Sequence, residues 1–282
     1  MSEISIKNLK NSIGKDVQIN GWVYNIRSIG KIWFVIVRDG TGYVQCVVTK
    51  NDVSDKVFKL ENSLTQESSL KIKGTVQADT RSDSGVEILV TDIDVVHIAD
   101  EYPISLKEHG VSFLMDNRHL WLRSKKQFAI MKIRHQLIRS IRNFFDDREF
   151  VLIDSPIFTA NAVEGTTTLF ETDYFNRSAY LSQSGQLYQE AGAIAFGKTY
   201  CFGPVFRAEK SKTRKHLTEF WMVEPEMAYC DINQNMDIIE EFMSNVIKDT
   251  LDNCVDELKI LERDVSKLEN ISAPFPRISY DE

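Results

Sequence analysis

Between residues 15 and 100, short hydrophobic runs alternate with polar turn segments along the chain. Each run is rich in Val and Ile and is bounded by Gly, Asp, Asn or Ser, which is typical of strands that end in turns. The runs are DVQINGWVYNIR, KIWFVIVRD, YVQCVV, SLKIKGTVQA and VEILVTDIDVVHI. The pattern therefore predicts five strands in the first third of the chain.

A helix-like segment, DVSDKVFKLENSL, separates the third and fourth of these runs. Val53, Val57 and Leu60 fall on one face of it at helical spacing. Five strands with a helix between the third and fourth predict a small Greek-key β-barrel of the OB type over residues 1–100. A generic β-barrel that serves only for packing is compatible with the same pattern.

The hydrophobic pattern changes after residue 100. Residues 101–126 contain Pro103, Gly110 and mixed charges without a consistent period, so we predict a hinge there. Residues 127–282 then mix helices with strands, which predicts an incomplete α+β domain. Its elements are a helix in QFAIMKIRHQLIRSIRNFFDDREF, a strand in FVLIDSPIFT, a strand and helix in AYLSQSGQLYQEAGAIAFG and a helix in MDIIEEFMSNVIKDTL.

Composition limits the classes of protein to consider. With 282 residues, 43% hydrophobic and 27% charged, the chain is long enough for two domains and has a globular composition. The net charge of −7 argues against a general nucleic-acid coat, although a local basic surface remains possible. The cysteines and histidines form no metal-binding motif, and no apolar run is long enough to span a membrane. We therefore expect a cytoplasmic protein that does not bind membranes, with metal ligands unknown.

A basic loop, KSKTRKH, connects two strand-like runs at 201–209 and 218–229, which we predict to form an antiparallel hairpin. Because side chains alternate between the two faces of a strand, Arg207 and Glu209 would share one face of the first strand. One face of the second strand would carry Phe220, Met222, Glu224 and Glu226.

This set of side chains suits a nucleoside triphosphate. A guanidinium grips phosphate oxygens in a fork geometry, and an aromatic ring stacks on a purine. The alternative is that Arg207 and Glu209 form a structural ion pair beside a solvated turn. Pro225 indicates an edge strand or a bulge, because proline cannot donate to a strand ladder.

Longer segments resemble a known family, the class II aminoacyl-tRNA synthetases of the aspartyl, asparaginyl and lysyl subgroup. FRAEKSKTRKHLTEFWMVEPEM resembles their motif 2, and the helix before LIDSPIF is similar to motif 1. INGWVYNIRSIGKIWFVIVRDGTGYVQCVV resembles their OB-type anticodon domain, and AVEGTTTLFETDYF with YLSQSGQLYQEA resembles the asparaginyl branch. The resemblance covers essentially the whole chain in the expected order.

The resemblance implies a ligase that uses ATP and Mg²⁺ to activate L-asparagine and then transfers it to tRNA(Asn). The family also implies a homodimer, in which the motif 1 proline, here Pro156, lies at the interface. Arg207 would be catalytic, contacting the α-phosphate of ATP and the carboxylate of the amino acid. Family positions for ATP correspond to Arg207, Glu209, His216, Leu217 and Phe220, with Arg214 as a weaker candidate.

The resemblance also implies an amino-acid pocket. Glu164 would meet the substrate ammonium group, and Ser184 and Gln186 match pocket positions. Gln189 stands where aspartyl enzymes usually place a lysine that pairs with the substrate carboxylate. A pocket without that cation favours neutral asparagine. Glu190 either accepts a hydrogen bond from the substrate amide or is an ordinary carboxylate on the helix surface.

In the barrel, Phe34 and Gln45 match positions that stack on and hydrogen-bond the central uridine of the anticodon. Taken alone, a phenylalanine or a glutamine at such a position is more often an ordinary packing or surface residue of a barrel than an anticodon contact. Trp33 and Arg27 are neighbours without a decisive signal.

The resemblance is incomplete at one point. Nothing in the chain matches the family's third motif, which carries an arginine that clamps ATP, so we expect residues 1–282 alone to form no adenylate. Three alternatives remain from the sequence. One is an aspartate–tRNA ligase, which could charge both tRNAs, and one is a tRNA-binding module without catalysis. The last is an amino-acid metabolic enzyme related to synthetases, although such relatives lack the anticodon domain.

Overall fold

A computed structural model describes residues 2–82, 84–105, 107–162, 168–210, 213 and 216–280. They form two compact units, Met1–Arg118 and His119–Glu282. The division between the units falls inside the segment predicted as a hinge. The domain limits drawn from the sequence, 1–100, 101–126 and 127–282, stay a prediction.

The first unit is a closed barrel, which confirms the five predicted strands and the OB-type fold. A short additional strand, β1, pairs in parallel with β2, and β5 pairs back with β2 to close the barrel, in the order β1-β2-β3-β4-β6-β5. The strands are β1 (Ser2–Glu3), β2 (Asp16–Ile29), β3 (Ile32–Arg38), β4 (Tyr43–Thr49), β5 (Ser69–Ala78) and β6 (Val86–His97).

Alternation along the strands separates the barrel core from its surface. On β3 the side chains of Trp33, Val35 and Val37 are fully buried, while Phe34 between them points outward. One end of the core is covered by a 3₁₀ helix, Ile6–Ser12, whose Leu9 is fully buried. This helix was not predicted, because seven residues are too short to establish a helical period.

The predicted helix between the third and fourth barrel strands is shorter than expected. The structure has α1 (Asp55–Phe58), followed by a 3₁₀ turn at Lys59–Asn62. The hydroxyl oxygen of Ser54 accepts from the Val57 backbone N–H at 3.3 Å and caps the helix start. Val57 is buried against the barrel core, so the helix still contributes its apolar face.

Helical residues also occur within the predicted hinge, as α2 (Val111–Asp116) and α3 (Arg118–Trp121). A long helix follows, α4 (Lys125–Asp146), which confirms the prediction over 127–150. Its first turn is capped by Ser124, whose hydroxyl accepts from the Gln127 backbone N–H at 3.3 Å.

In its described ranges, the second unit contains two three-stranded sheets with helices, as an α+β domain requires. The sheet orders are β8-β10-β9 and β12-β11-β7. The strands are β7 (Val151–Leu152), β8 (Phe158–Thr159), β9 (Glu171–Tyr174), β10 (Arg177–Leu181), β11 (Lys198–Phe206) and β12 (Glu219–Met227). The helices are α5 (Gln186–Phe196), α6 (Ile232–Asn253), α7 (Val255–Ile260) and α8 (Ser266–Glu269).

The strand predicted in FVLIDSPIFT, ending at Pro156, is shorter in the structure than expected. Two separate two-residue strands, β7 and β8, occupy this segment and belong to different sheets. Pro156 lies between them. It has no N–H to donate and restricts the residue before it, which interrupts a continuous ladder.

An aromatic core holds α4 and α6 against the β11–β12 sheet. Phe144, Phe145 and Tyr200 are buried together, and the Tyr200 hydroxyl donates to the Asp146 carboxylate at 2.9 Å. Phe242 of α6 completes the cluster with ring centres 5.2–5.3 Å from those of the two phenylalanines. None of the helices in the described ranges is long and apolar enough to cross a membrane.

Candidate functional site

The predicted hairpin is present. β11 and β12 pair antiparallel in nine successive residue pairs, from Lys198 opposite Met227 to Phe206 opposite Glu219. The backbone N–H of Arg207 donates to the Thr218 carbonyl at 2.9 Å and continues the ladder by one step. β12 is the outer strand of the described sheet, as Pro225 indicated.

The register fixes which side chains share the hairpin face that we call the site face. Arg207, by its register with Thr218, falls on the same face as Phe220, which is half-buried opposite Val205. A Cβ added at Gly203 on this face would have no other heavy atom within 4 Å, so the surface is open there. The site face carries Cys201, Gly203, Val205, Phe220, Met222, Glu224 and Glu226.

The opposite face of the hairpin serves packing. Phe202 and Trp221 meet edge to face there, with ring centres 5.3 Å apart. Arg134 of α4 lies over the Trp221 ring at 5.5 Å from its centre. The two faces therefore differ in chemistry as the alternation predicted.

The remaining ATP candidates lie outside the strands. Glu209 was predicted to share a strand face with Arg207, but β11 ends at Phe206. Glu209 is therefore exposed beyond the strand. His216 and Leu217 are also exposed, and the His216 ring makes a short hydrogen bond with the Thr213 hydroxyl. The structure thus places Arg207 and Phe220 on one hairpin face and the other three candidates in the connecting loop. Arg214 lies outside the described residues.

The Glu224 carboxylate accepts hydrogen bonds from three donors. The Gly185 backbone N–H lies 2.9 and 3.1 Å from its two carboxylate oxygens, and the Ser184 hydroxyl makes a short hydrogen bond to it. The Cys201 thiol donates to the carboxylate at 3.7 Å. We call Ser184, Gly185, Cys201 and Glu224 the Glu224 clamp.

The start of α5 positions the clamp. Ser184 is buried, and its hydroxyl oxygen accepts from the Gln186 backbone N–H at 3.0 Å. This contact satisfies a free donor of the first helical turn, and Gly185 is the residue that caps α5. Burial, reinforced by Glu224, raises the pKa of the Cys201 thiol to about 12, so that Cys201 stays a neutral hydrogen-bond donor at physiological pH.

Carboxylates concentrate beside the clamp. Burial, with Glu190 and Glu224 nearby, raises the pKa of Glu226. Glu190 itself is exposed on α5 and accepts a hydrogen bond from the Gln186 side chain at 2.9 Å. A region with this excess of negative charge favours cationic or N–H-bearing ligands over anionic ones.

Gln189 lies deeper than a surface pocket residue. Its side chain is fully buried, and its amide nitrogen donates to the Ile153 carbonyl at 2.7 Å and lies 3.4 Å from the Ser155 hydroxyl. Its amide oxygen has no hydrogen-bond partner among the described residues. Ser155 in turn hydrogen-bonds Cys201, so polar contacts run from Gln189 to the clamp. Glu164 lies outside the described residues.

The predicted interface proline is exposed. The neighbouring side chains Ile157 and Phe158 are 45% and 50% exposed. Val151 and Leu152, in the same segment of the chain, are also exposed, and we call these four side chains the apolar strip around Pro156.

On the barrel, Phe34 and Gln45 occupy one outward surface. The Arg27 guanidinium lies over the Phe34 ring at 4.7 Å and donates to the Gln45 amide oxygen at 2.8 Å. The Gln45 amide nitrogen donates to the Glu87 carboxylate at 3.2 Å. We call Arg27, Phe34, Gln45 and Glu87 the barrel patch. Trp33 is in the core instead and takes no part in this surface.

Reasoning from the sequence missed the contacts of Glu224 and the place of Glu87 in the barrel patch, and it named Arg27 only as a neighbour without a decisive signal. The alternation placed Glu224 on the site face, but its partners lie 39 and 40 residues earlier in the chain. Glu87 reaches Gln45 through the parallel pairing of β4 with β6, whose register has no local sequence signal.

Comparisons with known proteins identify the family of the chain. Residues 110–282 match the family described as tRNA synthetases class II (D, K and N), and residues 17–96 match the OB-fold nucleic acid binding domain. The chain is 55% identical over 278 residues to the asparagine–tRNA ligase of Herpetosiphon aurantiacus, covering 98% of this chain and 62% of that protein.

Solved structures are similar over nearly the whole chain. Asparaginyl-tRNA synthetase from Pyrococcus horikoshii, complexed with asparaginyl-adenylate, superposes with a TM-score of 0.90 at 41% identity, covering 96% of this chain and 63% of that one. The Entamoeba histolytica asparaginyl-tRNA synthetase in complex with asparaginyl-adenylate gives 0.80 at 30% identity, covering 92% and 60%. The chain spans somewhat less than two thirds of the length of these relatives. It belongs to the class II tRNA synthetases of the D, K and N group, with an OB-fold domain before the synthetase domain.

Proposed function

We propose that the protein is an asparagine–tRNA ligase, which forms asparaginyl-adenylate from asparagine and ATP and transfers the asparaginyl group to tRNA(Asn). The observation that carries the proposal is the Glu224 clamp with its surrounding carboxylates, in a chain that is 55% identical to an asparagine–tRNA ligase. This clamp offers a fixed hydrogen-bond acceptor and no cation for an anionic side chain.

In the first step, an oxygen of the asparagine carboxylate attacks the α-phosphorus of ATP. The bond to the β-phosphate breaks and pyrophosphate leaves. Arg207 would bind both the carboxylate and the α-phosphate and stabilise the charge that develops between them. Phe220, half-buried on the open site face, would stack on adenine. In the second step a hydroxyl of the terminal tRNA ribose attacks the carbonyl carbon, and AMP leaves.

ATP suits the residues of the site face, because the Arg207 guanidinium and the half-buried Phe220 ring lie on the same face of the hairpin. Mg²⁺ would neutralise charge on the phosphates. Glu209, His216 and Leu217 would contact ATP from the connecting loop.

Selection of the amino acid follows from charge. The Glu224 carboxylate can accept from the N–H groups of a carboxamide, whereas an aspartate side chain would place two carboxylates together. Glu190 and Glu226 add to this repulsion, and Gln189 leaves no compensating cation at its position. Ser184 and Gln186 would line the pocket, and Glu164 would meet the ammonium group.

The barrel patch would read the anticodon of tRNA(Asn). A splayed base would stack on Phe34 and hydrogen-bond Gln45, whose amide is already oriented by Arg27 and Glu87. A pre-oriented amide loses less conformational entropy when it binds a base, which supports this assignment over simple surface packing.

A second copy of the chain would cover the apolar strip around Pro156. Four apolar side chains that flank it are between 37% and 50% exposed, which supports a contact surface there. Homodimerisation, like a cytoplasmic location, is part of the proposal.

Pyrophosphate exchange tests the proposed function. The protein, expressed from its complete reading frame, is assayed with asparagine and with aspartate. We expect kcat/KM for asparagine to exceed that for aspartate by at least on the order of 100-fold. Equal or greater exchange with aspartate would favour the aspartate–tRNA ligase instead and overturn the proposal.

A further inference from the structure

Gly185 occupies a position that has no room for a side chain. A Cβ built on it would lie 2.5 Å from both the Cys201 sulfur and the Ser155 hydroxyl oxygen, far inside ordinary contact distance. The Ser155 Cβ would also be within 3.2 Å. Any other residue here must therefore displace Cys201, Ser155 or both.

The backbone of Gly185 does not itself require glycine. Its φ of −86° and ψ of −2° lie in a region open to ordinary L residues. Glycine is thus explained by the close approach of Cys201 and Ser155, and not by backbone freedom. What this close approach achieves is visible at Glu224: the Gly185 N–H and the Cys201 thiol both reach its carboxylate.

We propose that Gly185 is a positioning residue that selects the substrate side chain. By omitting a Cβ, it lets its own N–H, the Ser184 hydroxyl and the Cys201 thiol converge on Glu224 and fix one orientation of that carboxylate. A fixed acceptor binds the N–H groups of a carboxamide well, and a carboxylate side chain gains nothing from it. The inference rests on the proposed function, because it assumes that Glu224 faces the substrate side chain.

The polar chain behind the clamp fits this role. Gln189 lies 3.4 Å from Ser155, which hydrogen-bonds Cys201, which in turn reaches Glu224. The side chains of Gln189, Ser155 and Cys201 are all uncharged, so they orient the Glu224 carboxylate without neutralising its charge. A positioning device of this kind changes which side chain binds and leaves the ATP contacts unaffected.

The test is Gly185→Ala in the protein expressed from its complete reading frame, with pyrophosphate exchange measured for asparagine and aspartate. We expect kcat/KM for asparagine to fall roughly 10- to 100-fold, the usual effect of losing a hydrogen bond to a charged group. The value for aspartate and the KM for ATP should change little. The ratio of asparagine to aspartate activity therefore falls by the same factor.

Gly192→Ala is the matched control. A Cβ there would also be crowded, 2.8 Å from the Ile153 side chain, and it lies on the same helix without touching the clamp. It should lower thermal stability but keep the asparagine-to-aspartate ratio. An equal loss of the ratio in Gly192→Ala would show that helix packing, and not the clamp, sets selectivity, and would overturn the inference.

Cys201→Ala provides a second route if Gly185→Ala does not fold. It removes one donor to Glu224 without adding volume, so we expect a smaller loss of the ratio, severalfold. If the wild type prefers asparagine and the folded variants keep the same asparagine-to-aspartate ratio, the proposed role of Gly185 is overturned while the proposed function stands. A wild type that does not prefer asparagine overturns the proposed function instead.

Discussion

The Arg27 guanidinium lies 4.7 Å above the centre of the Phe34 ring on the barrel surface. The same guanidinium donates to Gln45 at 2.8 Å, so one side chain orients both residues expected to meet the anticodon. A base that binds Phe34 must either stack beside this guanidinium or take its place. Stacking of a nucleobase on an arginine or an aromatic ring is favourable in either case.

We expect Phe34→Ala to weaken binding of an anticodon stem-loop with a central uridine by about 1–3 kcal/mol, because a stacking platform is lost. The measurement is a fluorescence titration at fixed salt, since RNA affinity depends on salt concentration. Circular dichroism of the barrel confirms that the variant is folded.

Trp22→Ala is the control for this prediction. Trp22 also lies beneath an arginine, Arg38, at 4.9 Å, but outside the barrel patch. It should leave the stem-loop affinity unchanged. If Trp22→Ala and Phe34→Ala weaken binding equally, the barrel patch is not the anticodon surface.

Arg207→Lys should reduce adenylate formation on the order of 100- to 1000-fold, because a lysine cannot hold a carboxylate and a phosphate with a bidentate fork. Pyrophosphate exchange with asparagine measures this directly. Arg134→Lys, an exchange on the packing face over Trp221, serves as the control and should retain activity. An Arg207→Lys enzyme within a fewfold of wild type would mean that Arg207 is structural.

Glu226→Gln should change the pH dependence of stability. The folded-state pKa of Glu226 is raised above its ordinary value of 4.5, mainly by burial. Between the ordinary pKa and the raised folded-state pKa, the unfolded chain has lost its proton while the folded chain still holds it. The free energy of unfolding therefore declines as pH rises through this range. The glutamine variant lacks this decline and should be more stable than wild type at pH 7 but not at about pH 4.

Urea unfolding at both pH values checks this expectation. Glu219→Gln is the comparison, because Glu219 is an exposed carboxylate on the same strand and on the other face. Equal stabilisation of Glu226→Gln at the two pH values would contradict the titration argument.

Ile157→Asp tests the apolar strip around Pro156. If a second copy covers this strip, a buried carboxylate should weaken dimerisation on the order of 100-fold. Analytical ultracentrifugation over a range of concentrations gives the association constant. Val96→Asp, at an apolar side chain of the barrel that is 60% exposed, should have no effect. A dimer of unchanged affinity in Ile157→Asp would place the interface elsewhere.

The sequence was most informative about features that lie within a single strand or helix, such as the face on which a side chain falls. Alternation alone put Phe220, Met222 and Glu224 on one face of β12. Helical spacing likewise predicted α4 and α6, whose apolar faces meet in the aromatic core. In these elements local periodicity and tertiary packing agree.

The sequence-based predictions failed for short strands and helices and for contacts between residues that are distant in sequence. The strand predicted to end at Pro156 is only two residues long, Val151–Leu152, and the helix over 52–64 tightens into a 3₁₀ turn after Phe58. Contacts such as Gly185 with Glu224 join residues that are remote in sequence. Their register is set by packing of α5 against β11 and β12, which no local pattern encodes.

The separation of faces on β12 also constrains how this chain can change during evolution. Residues added to or lost from the loop between β11 and β12, away from its proposed ATP contacts, leave the strand register behind them unchanged. A single residue inserted within β12 would exchange the two faces beyond that point. An insertion before Phe220 would move packing residues such as Trp221 to the site face and would move Glu224 to the packing face. Length variation among descendants of this gene should therefore accumulate in the loop and be absent from the strand.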